Sequence, residues 1–265
     1  MKKLFKLGII GCGNMANAII SGAKEVLHGQ SIAVFDPDNQ KAQAFSDKFG
    51  AVIANNNEFL AKNSEYLLIA VKPQSFDAIC NELIGSEYVI SIMAGVKTST
   101  ILSKIPSLRG MTRIMPNAPA MVGKGMSAIS FINSTEEDKK FVSEIFNSIG
   151  KTIFIDEDKL DAVTAISGSG PAYVYYFIKS MIDAGIKIGL TEDQSRILTF
   201  QTFDGASCFA QNSELSLEKL IDMVCSKGGT TIQAINSFKK VNTDQIIYDA
   251  IKKCFDRSKE LSGDK

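Results

Sequence analysis

Three features of the chain predict an α/β Rossmann domain followed by an all-α dimerisation domain. An apolar run near the start breaks into a glycine-rich turn; short β-branched runs alternate with helical segments as far as Ile155; and beyond Asp156 every segment reads as helix. The change of periodicity divides the chain into 1–156, where the glycine turn indicates a dinucleotide-binding domain, and 157–265, a helical domain to which its glycine-rich loops and apolar helices assign substrate binding and dimerisation.

The first strand, 7–10, runs into Gly11-Cys12-Gly13-Asn14-Met15-Ala16, a G-x-G-x-x-A turn that opens a helix over 14–27. Gly11 permits the tight turn, Gly13 lets backbone approach a pyrophosphate, and Ala16 allows close helix-strand packing, so the helix N-terminus points at the phosphates. A purely structural turn uses the same glycines. The nucleotide reading gains from Asp36, an acid closing the second strand, 32–35, close to the roughly 20-residue spacing of a ribose ligand. Further strands are expected at 66–71, 88–93, 110–115, 126–131 and 152–155, with helices at 39–48, 76–84, 98–104 and 135–149. The last opens Ser134-Thr135-Glu136-Glu137-Asp138, a cap followed by acids that suit the positive helix end. In the second half, helices are expected at 158–166, 172–188, 192–211, 217–225, 230–240 and 243–261, punctuated by Gly189, Thr191-Glu192-Asp193 and Thr243-Asp244. Helix 172–188 is apolar on more than one face, and a domain of this size has little interior to hide it. Burial against a second copy of the chain is the simplest solution.

The 29 basic and 29 acidic residues balance, which speaks against nucleic acid or a membrane surface as the main partner. No apolar run approaches the ~20 residues of a membrane-spanning helix, and the start of the chain leads into the first strand, so a cytoplasmic location is expected. The five cysteines form no Cys-x-x-Cys pair and there is no histidine cluster, which supports neither a metal site nor a disulfide framework. Cys12 reads as a small buried filler and not as a reactive thiol. The only histidine, His28, follows the first helix, a poor place for a catalytic base. Oxidation of an alcohol generally needs such a base, whereas a protonated C=N bond is already electrophilic. The chain therefore leans toward C=N chemistry, with lysines and tyrosines as the remaining bases.

Two glycine-rich breaks in the helical half are candidate substrate loops: Ser167-Gly168-Ser169-Gly170-Pro171 and Ser226-Lys227-Gly228-Gly229-Thr230-Thr231. Each offers backbone N–H groups and hydroxyls at a positive helix end, a way to hold a small carboxylate; the plainer reading is two capped helix breaks. Arg113-Ile114-Met115-Pro116-Asn117-Ala118-Pro119-Ala120 follows a strand as a proline-braced corner in which Asn117 offers an amide, and Ala70-Val71-Lys72-Pro73-Gln74 sits at the carboxyl end of another strand.

These blocks, with Ala94-Gly95-Val96 and the run from Asp161 to Tyr173, resemble the delta-1-pyrroline-5-carboxylate reductase family over essentially the whole chain. The resemblance implies an N-terminal Rossmann domain, a helical domain that interlocks with its partner as a homodimer, dimers that assemble into larger rings, and NADPH or NADH as cofactor. It implies that Gly11, Cys12, Gly13, Asn14, Met15 and Ala16 hold the pyrophosphate, with Asn57, Ala70, Lys72, Pro73, Ala94 and Gly95 lining the rest of the groove. Asp36 and Asn117 are assigned to the cofactor as well. Ser167, Gly168, Ser169 and Gly170 with Gly228, Gly229, Thr230 and Thr231 would hold a cyclic imine carboxylate. Thr231 would bond the ring nitrogen as the principal catalytic hydroxyl, with Ser169 second. Two departures stand out: Lys227 replaces a frequent proline of the family, and Asp36 stands with no arginine where relatives accommodate a 2′-phosphate. The competing readings are a beta-hydroxyacid dehydrogenase-like oxidoreductase, against which Val174 stands at the position of that family's catalytic lysine, another cyclic imine reductase, or a nucleotide-sensing protein without turnover.

Overall fold

The backbone of the molecule, taken from a computed structural model, is described for residues 3–27 and 31–263; His28 lies outside the described residues. The chain divides into two units: Met1–Ser169 with Cys254–Lys265, and Gly170–Lys253.

Strand formation in the first unit follows from runs that are apolar on both faces. In β1 (Phe5–Ile10), Leu7 and Ile9 enter one core while Ile10 enters the other; in β4 (Ser64–Ile69), Tyr66 and Leu68 part from Leu67 and Ile69 in the same way. This period of two, buried on both sides, suits a parallel sheet covered by helices. With β2 (Ile32–Phe35), β3 (Val52–Ile53), β5 (Tyr88–Ser91), β6 (Gly110–Met115), β7 (Gly125–Ile132) and β8 (Gly150–Phe154), the order is β3-β2-β1-β4-β5-β6-β7-β8. All pairings are parallel except β6 with β7. One face is covered by α1 (Asn14–Gly22), α2 (Asn39–Phe49) and α6 (Glu136–Asn147), which bring Ile19, Phe45 and Phe146 into the first core. The other is covered by α3 (Asn57–Asn63), the segment Pro73–Leu83 containing α4 (Phe76–Ile79), and α5 (Thr98–Lys104), through Leu60, Phe76 and Ile101.

The cap expected at Thr135 forms as a reciprocal box: Asp138 N–H donates to Thr135 Oγ1 at 3.2 Å and Thr135 N–H donates to Asp138 Oδ2 at 2.9 Å. Asp138 is fully buried and also takes two hydrogen bonds from Arg109, at 2.7 and 2.8 Å, and one from Tyr66 at 2.9 Å. Despite the burial, which opposes ionisation, these donors hold its carboxyl well below the usual aspartate range.

Several elements differ from expectation. α1 stops at Gly22, which packs so closely on Ile149 that a Cβ there would lie 2.4 Å from Ile149 Cγ2. β3 and α3 fall where no element was expected, and the helix expected over 76–84 is α-helical only at Phe76–Ile79 before it tightens into a 3-10 turn at Cys80–Leu83. The segment expected as helix 158–166 is a 3-10 turn, one α-turn α7 (Leu160–Val163), and a widened turn over Thr164–Gly168.

The second unit contains α8 (Gly170–Lys187), α9 (Glu192–Asn212), α10 (Leu217–Val224), α11 (Thr230–Lys240) and the first part of α12 (Thr243–Leu261). α8 and α9 approach closely at Gly185, where Ser195 Oγ donates to Ile182 O at 2.8 Å. Most large apolar side chains here are exposed in the single chain, among them Tyr176 at 71%, Ile197 at 70% and Leu217 at 64%. Phe177, Met181, Phe203, Ile221 and Phe238 line an open apolar cleft of about 950 Å³. Apolar surface on this scale marks an interface between chains.

Candidate active site

The strand order reverses between β1 and β4, and an open α/β sheet binds its ligand outside the carboxyl ends of the strands at such a point. On this edge lie Gly11 to Ala16 after β1, Asp36 after β2, Ala70, Lys72 and Pro73 after β4, Ala94 and Gly95 after β5, and Asn117 after β6. Gly11 has φ +95°, and a Cβ there would lie 2.9 Å from Ala70 O; Gly13 faces open space, with nothing within 4 Å of where a Cβ would stand. α1 starts at Gly13 without a side-chain cap, so its first N–H groups are available to an anion. Ala16 is fully buried against the sheet, Lys72 is exposed, and Pro73 opens its turn. Asn57, at the start of α3, is buried; its Nδ2 donates to Glu82 at 2.9 Å while its Oδ1 has no partner. The uncapped helix start, open space at Gly13 and orphaned Asn57 oxygen fit a dinucleotide.

Asp36 does more than close β2. Its Oδ2 accepts the Cys12 N–H at 2.8 Å and its Oδ1 accepts the Asp38 N–H at 2.9 Å, so the carboxylate brackets the glycine turn. Asp38 caps α2 through the Gln40 and Lys41 N–H groups, and Lys41 pairs with Asp38 at 3.4 Å on the surface. Burial, followed by the charge of Asp36, pushes the Cys12 thiol up to about 12, which leaves it protonated at neutral pH.

Asn117 does not project its amide into open space. Its Nδ2 donates to Ser167 O at 3.2 Å and Ser167 Oγ at 3.3 Å, and its Oδ1 accepts the Met126 N–H at 2.8 Å. It thereby ties the corner after β6 to the Ser167–Ser169 loop. In the widened turn before that loop, Ser169 N–H donates to Thr164 O, five residues back, at 2.8 Å. Gly168 lies against Met115, where a Cβ would stand 2.3 Å from Cε. Such widened turns recur at functional sites. The Cys254 thiol donates to Ser169 Oγ at 3.3 Å.

Sequence reasoning missed two supports of this edge. Glu157 accepts the Thr98 N–H at 2.6 Å and the Thr98 hydroxyl at 2.7 Å, and pairs with the buried Arg113 at 3.0 Å. Burial opposes its ionisation, but these donors together hold it below the usual glutamate value. Asp161, buried in α7, accepts from Ser258 of α12 and from Ser262 just past its end. A lone acid heading the Asp161–Ala165 run was the one available signal, and nothing local names its distant partners.

In the second unit, Gly228 has φ +75° and Gly229 starts α11 with no side-chain cap. Thr230 and Thr231 are the first two residues of that helix; Thr230 is exposed and Thr231 half-buried. The arrangement offers free N–H donors and two hydroxyls at a positive helix end, suited to a small anion. Among the described residues no group of three or more His, Cys, Asp or Glu could hold a metal ion, and no helix is long and apolar enough to cross a membrane.

Residues 157–261 match a family model described as pyrroline-5-carboxylate reductase dimerisation, and residues 6–95 one described as NADP oxidoreductase coenzyme F420-dependent. The chain is 36% identical over 263 residues to the pyrroline-5-carboxylate reductase of Haemophilus influenzae, covering 96% of this chain and 97% of the relative. Among solved structures it is similar to Plasmodium falciparum pyrroline carboxylate reductase with NADP bound, at 31% identity and TM-score 0.87 over 99% of this chain and all of that one. It is also similar to the Streptococcus pyogenes 1-pyrroline-5-carboxylate reductase, at 28% identity and TM-score 0.90 over 97% and 98%.

Proposed function

We infer the function from one premise: the chain belongs to the pyrroline-5-carboxylate reductase family. It is an NAD(P)H-dependent oxidoreductase that reduces 1-pyrroline-5-carboxylate to L-proline, the last step of proline biosynthesis, and it works as a homodimer formed by the helical region. The 36% identity to a pyrroline-5-carboxylate reductase over nearly the whole of both chains carries the reading.

When bound, the reduced nicotinamide would supply a hydride to the carbon of the already protonated C=NH⁺ bond, which leaves a neutral CH–NH amine. The residue roles are our proposal. The uncapped start of α1 holds the pyrophosphate, with Asn57, Lys72, Pro73, Ala94 and Gly95 along the groove. Ser167 to Gly170 and the start of α11 hold the carboxylate through N–H groups and hydroxyls. Thr231 donates to or accepts from the ring nitrogen and orients it, without acting as a strong acid. Asn117 contributes by fixing Ser167. A ring of dimers is the larger assembly we propose, on resemblance.

The test is a cofactor oxidation assay with purified protein, following loss of the reduced nicotinamide absorbance on addition of pyrroline-5-carboxylate and identifying proline chromatographically. Cofactor binding without substrate-dependent oxidation would overturn the reading.

A further inference from the structure

We propose that Asp161 is a positioning residue for the substrate loop, acting through the returning end of α12. The inference rests on the assignment of Ser167–Gly170 to the substrate. Residues Cys254–Lys265 belong with the nucleotide-binding unit, although the earlier part of the same helix belongs to the other. One carboxylate oxygen ties this end down twice: Asp161 Oδ1 accepts the Ser258 hydroxyl at 2.5 Å and the Ser262 hydroxyl at 2.9 Å. Asp161 is 8% exposed and Ser258 5%, so the bond between them is made away from water, where loss of the acceptor strands a buried hydroxyl; Ser262 is half-buried.

The anchored turns reach the loop directly. One turn before Ser258, the Cys254 thiol donates to Ser169 Oγ at 3.3 Å. Asp161 also stands at the head of the segment that widens over Thr164–Gly168 and delivers Ser167 to Ser169, so it grips the loop's two supports at once. Asn117 holds Ser167 independently of α12. With Asp161 removed, Asn117 still fixes one end of the loop while Ser169 loses its brace. The deficit should then fall on imine binding and not on the β1–α1 turn that holds the pyrophosphate.

The experiment compares Asp161→Ala, Asp161→Asn and Cys254→Ala in the full-length protein. Asparagine keeps an oxygen able to accept both hydroxyls and serves as the rescue. Asp161→Ala should raise KM for pyrroline-5-carboxylate at least fivefold, with kcat and the dissociation constant of the reduced cofactor within twofold of wild type. Asp161→Asn should return KM to within twofold, and Cys254→Ala should reproduce part of the increase. Hydrogen exchange adds a readout independent of turnover: in Asp161→Ala, amides of 164–170 and 254–263 should exchange faster and those of 11–16 should not. Unchanged KM in an active Asp161→Ala protein, or unchanged exchange in both segments, overturns the proposal while leaving the assigned activity standing. Failure of asparagine to rescue, or equal loss of cofactor and imine binding, overturns it in favour of a general structural role. A wild-type protein inactive on the imine removes the functional reading, and the positioning role with it.

Discussion

Replacing Asp36 with serine should turn the cofactor preference toward the 2′-phosphorylated dinucleotide. The two backbone donors that hold the Asp36 carboxylate, Cys12 N–H at 2.8 Å and Asp38 N–H at 2.9 Å, prevent it from swinging aside when a phosphate arrives. Each oxygen keeps a second lone pair for a ribose hydroxyl, whereas a 2′-phosphate would meet a fixed negative charge. Two unit charges about 6 Å apart repel by about 2.8 kcal/mol at an effective dielectric near 20, and salt near 0.1 M roughly halves that. About 1.4 kcal/mol is a tenfold ratio. Lys41, paired with Asp38 at the surface, offers only partial compensation. Wild type should therefore use NADH at least as well as NADPH, and Asp36→Ser should move the ratio of kcat/KM values about tenfold toward NADPH. Serine keeps at most part of the bracket, so both absolute values should also fall, by a loss of about 1.5–3 kcal/mol for the missing charge-assisted bond. The assay is initial-rate kinetics with each cofactor at saturating imine. A strong wild-type preference for NADPH, or an unmoved ratio in the variant, would show that Asp36 does not face the ribose.

Thr231→Ala should lower kcat/KM for the imine by about 1–3 kcal/mol, with cofactor affinity retained; unchanged kinetics would move the role to Ser169 or Thr230. Arg109→Ala should destabilise the fold by about 3 kcal/mol at neutral pH in urea melts, the lower end for a buried pair because the guanidinium is partly exposed. Because folding favours the ionised form of Asp138, holding its carboxyl well below the unfolded value of about 3.9, its contribution is full above that value and is lost as pH falls below it; the stability gap between wild type and Asp138→Asn should narrow on acidification, and a constant gap would refute this. Light scattering should find no folded, active monomer at micromolar concentration, since Ile197, Leu198 and Leu217 stand exposed on one chain.

The alternating half was legible because its strands are apolar on both faces and its turns carry Gly11, Asp36 and Thr135, signals that act within a few residues. The helix starts at Thr98, Thr230 and Thr243 fall where they were expected, although Thr98 is held by the distant Glu157 and the Thr243 hydroxyl donates to Phe238 O instead of capping its helix. β3 escaped because two exposed residues, Val52 and Ile53, carry no periodicity, although Asn56, whose side chain accepts the Phe59 N–H at 2.7 Å, marked the start of α3. The first three residues of the widened turn, 164–166, were read as ordinary helix and its last two as a glycine-rich break, because a five-residue hydrogen bond leaves no pattern in composition. In the candidate site the glycine turn and the hydroxyl-bearing helix starts were visible. The bond from Cys12 N–H to Asp36 and the tie from Asn117 to Ser167 were not, since they join residues 24 and 50 positions apart, respectively, through geometry.

The return of α12 to Asp161 also sets an order of events in the living cell. Ser167 and Ser169 leave the ribosome long before Cys254, Ser258 and Ser262 exist, at synthesis rates of about 5–20 residues per second. During that interval the sheet and its glycine turn have all their own strands, while the neighbouring loop lacks its brace. A nascent chain can thus acquire a dinucleotide-binding edge several seconds before a braced substrate loop, and a chain cut short before Ser258 should be arrested in that state.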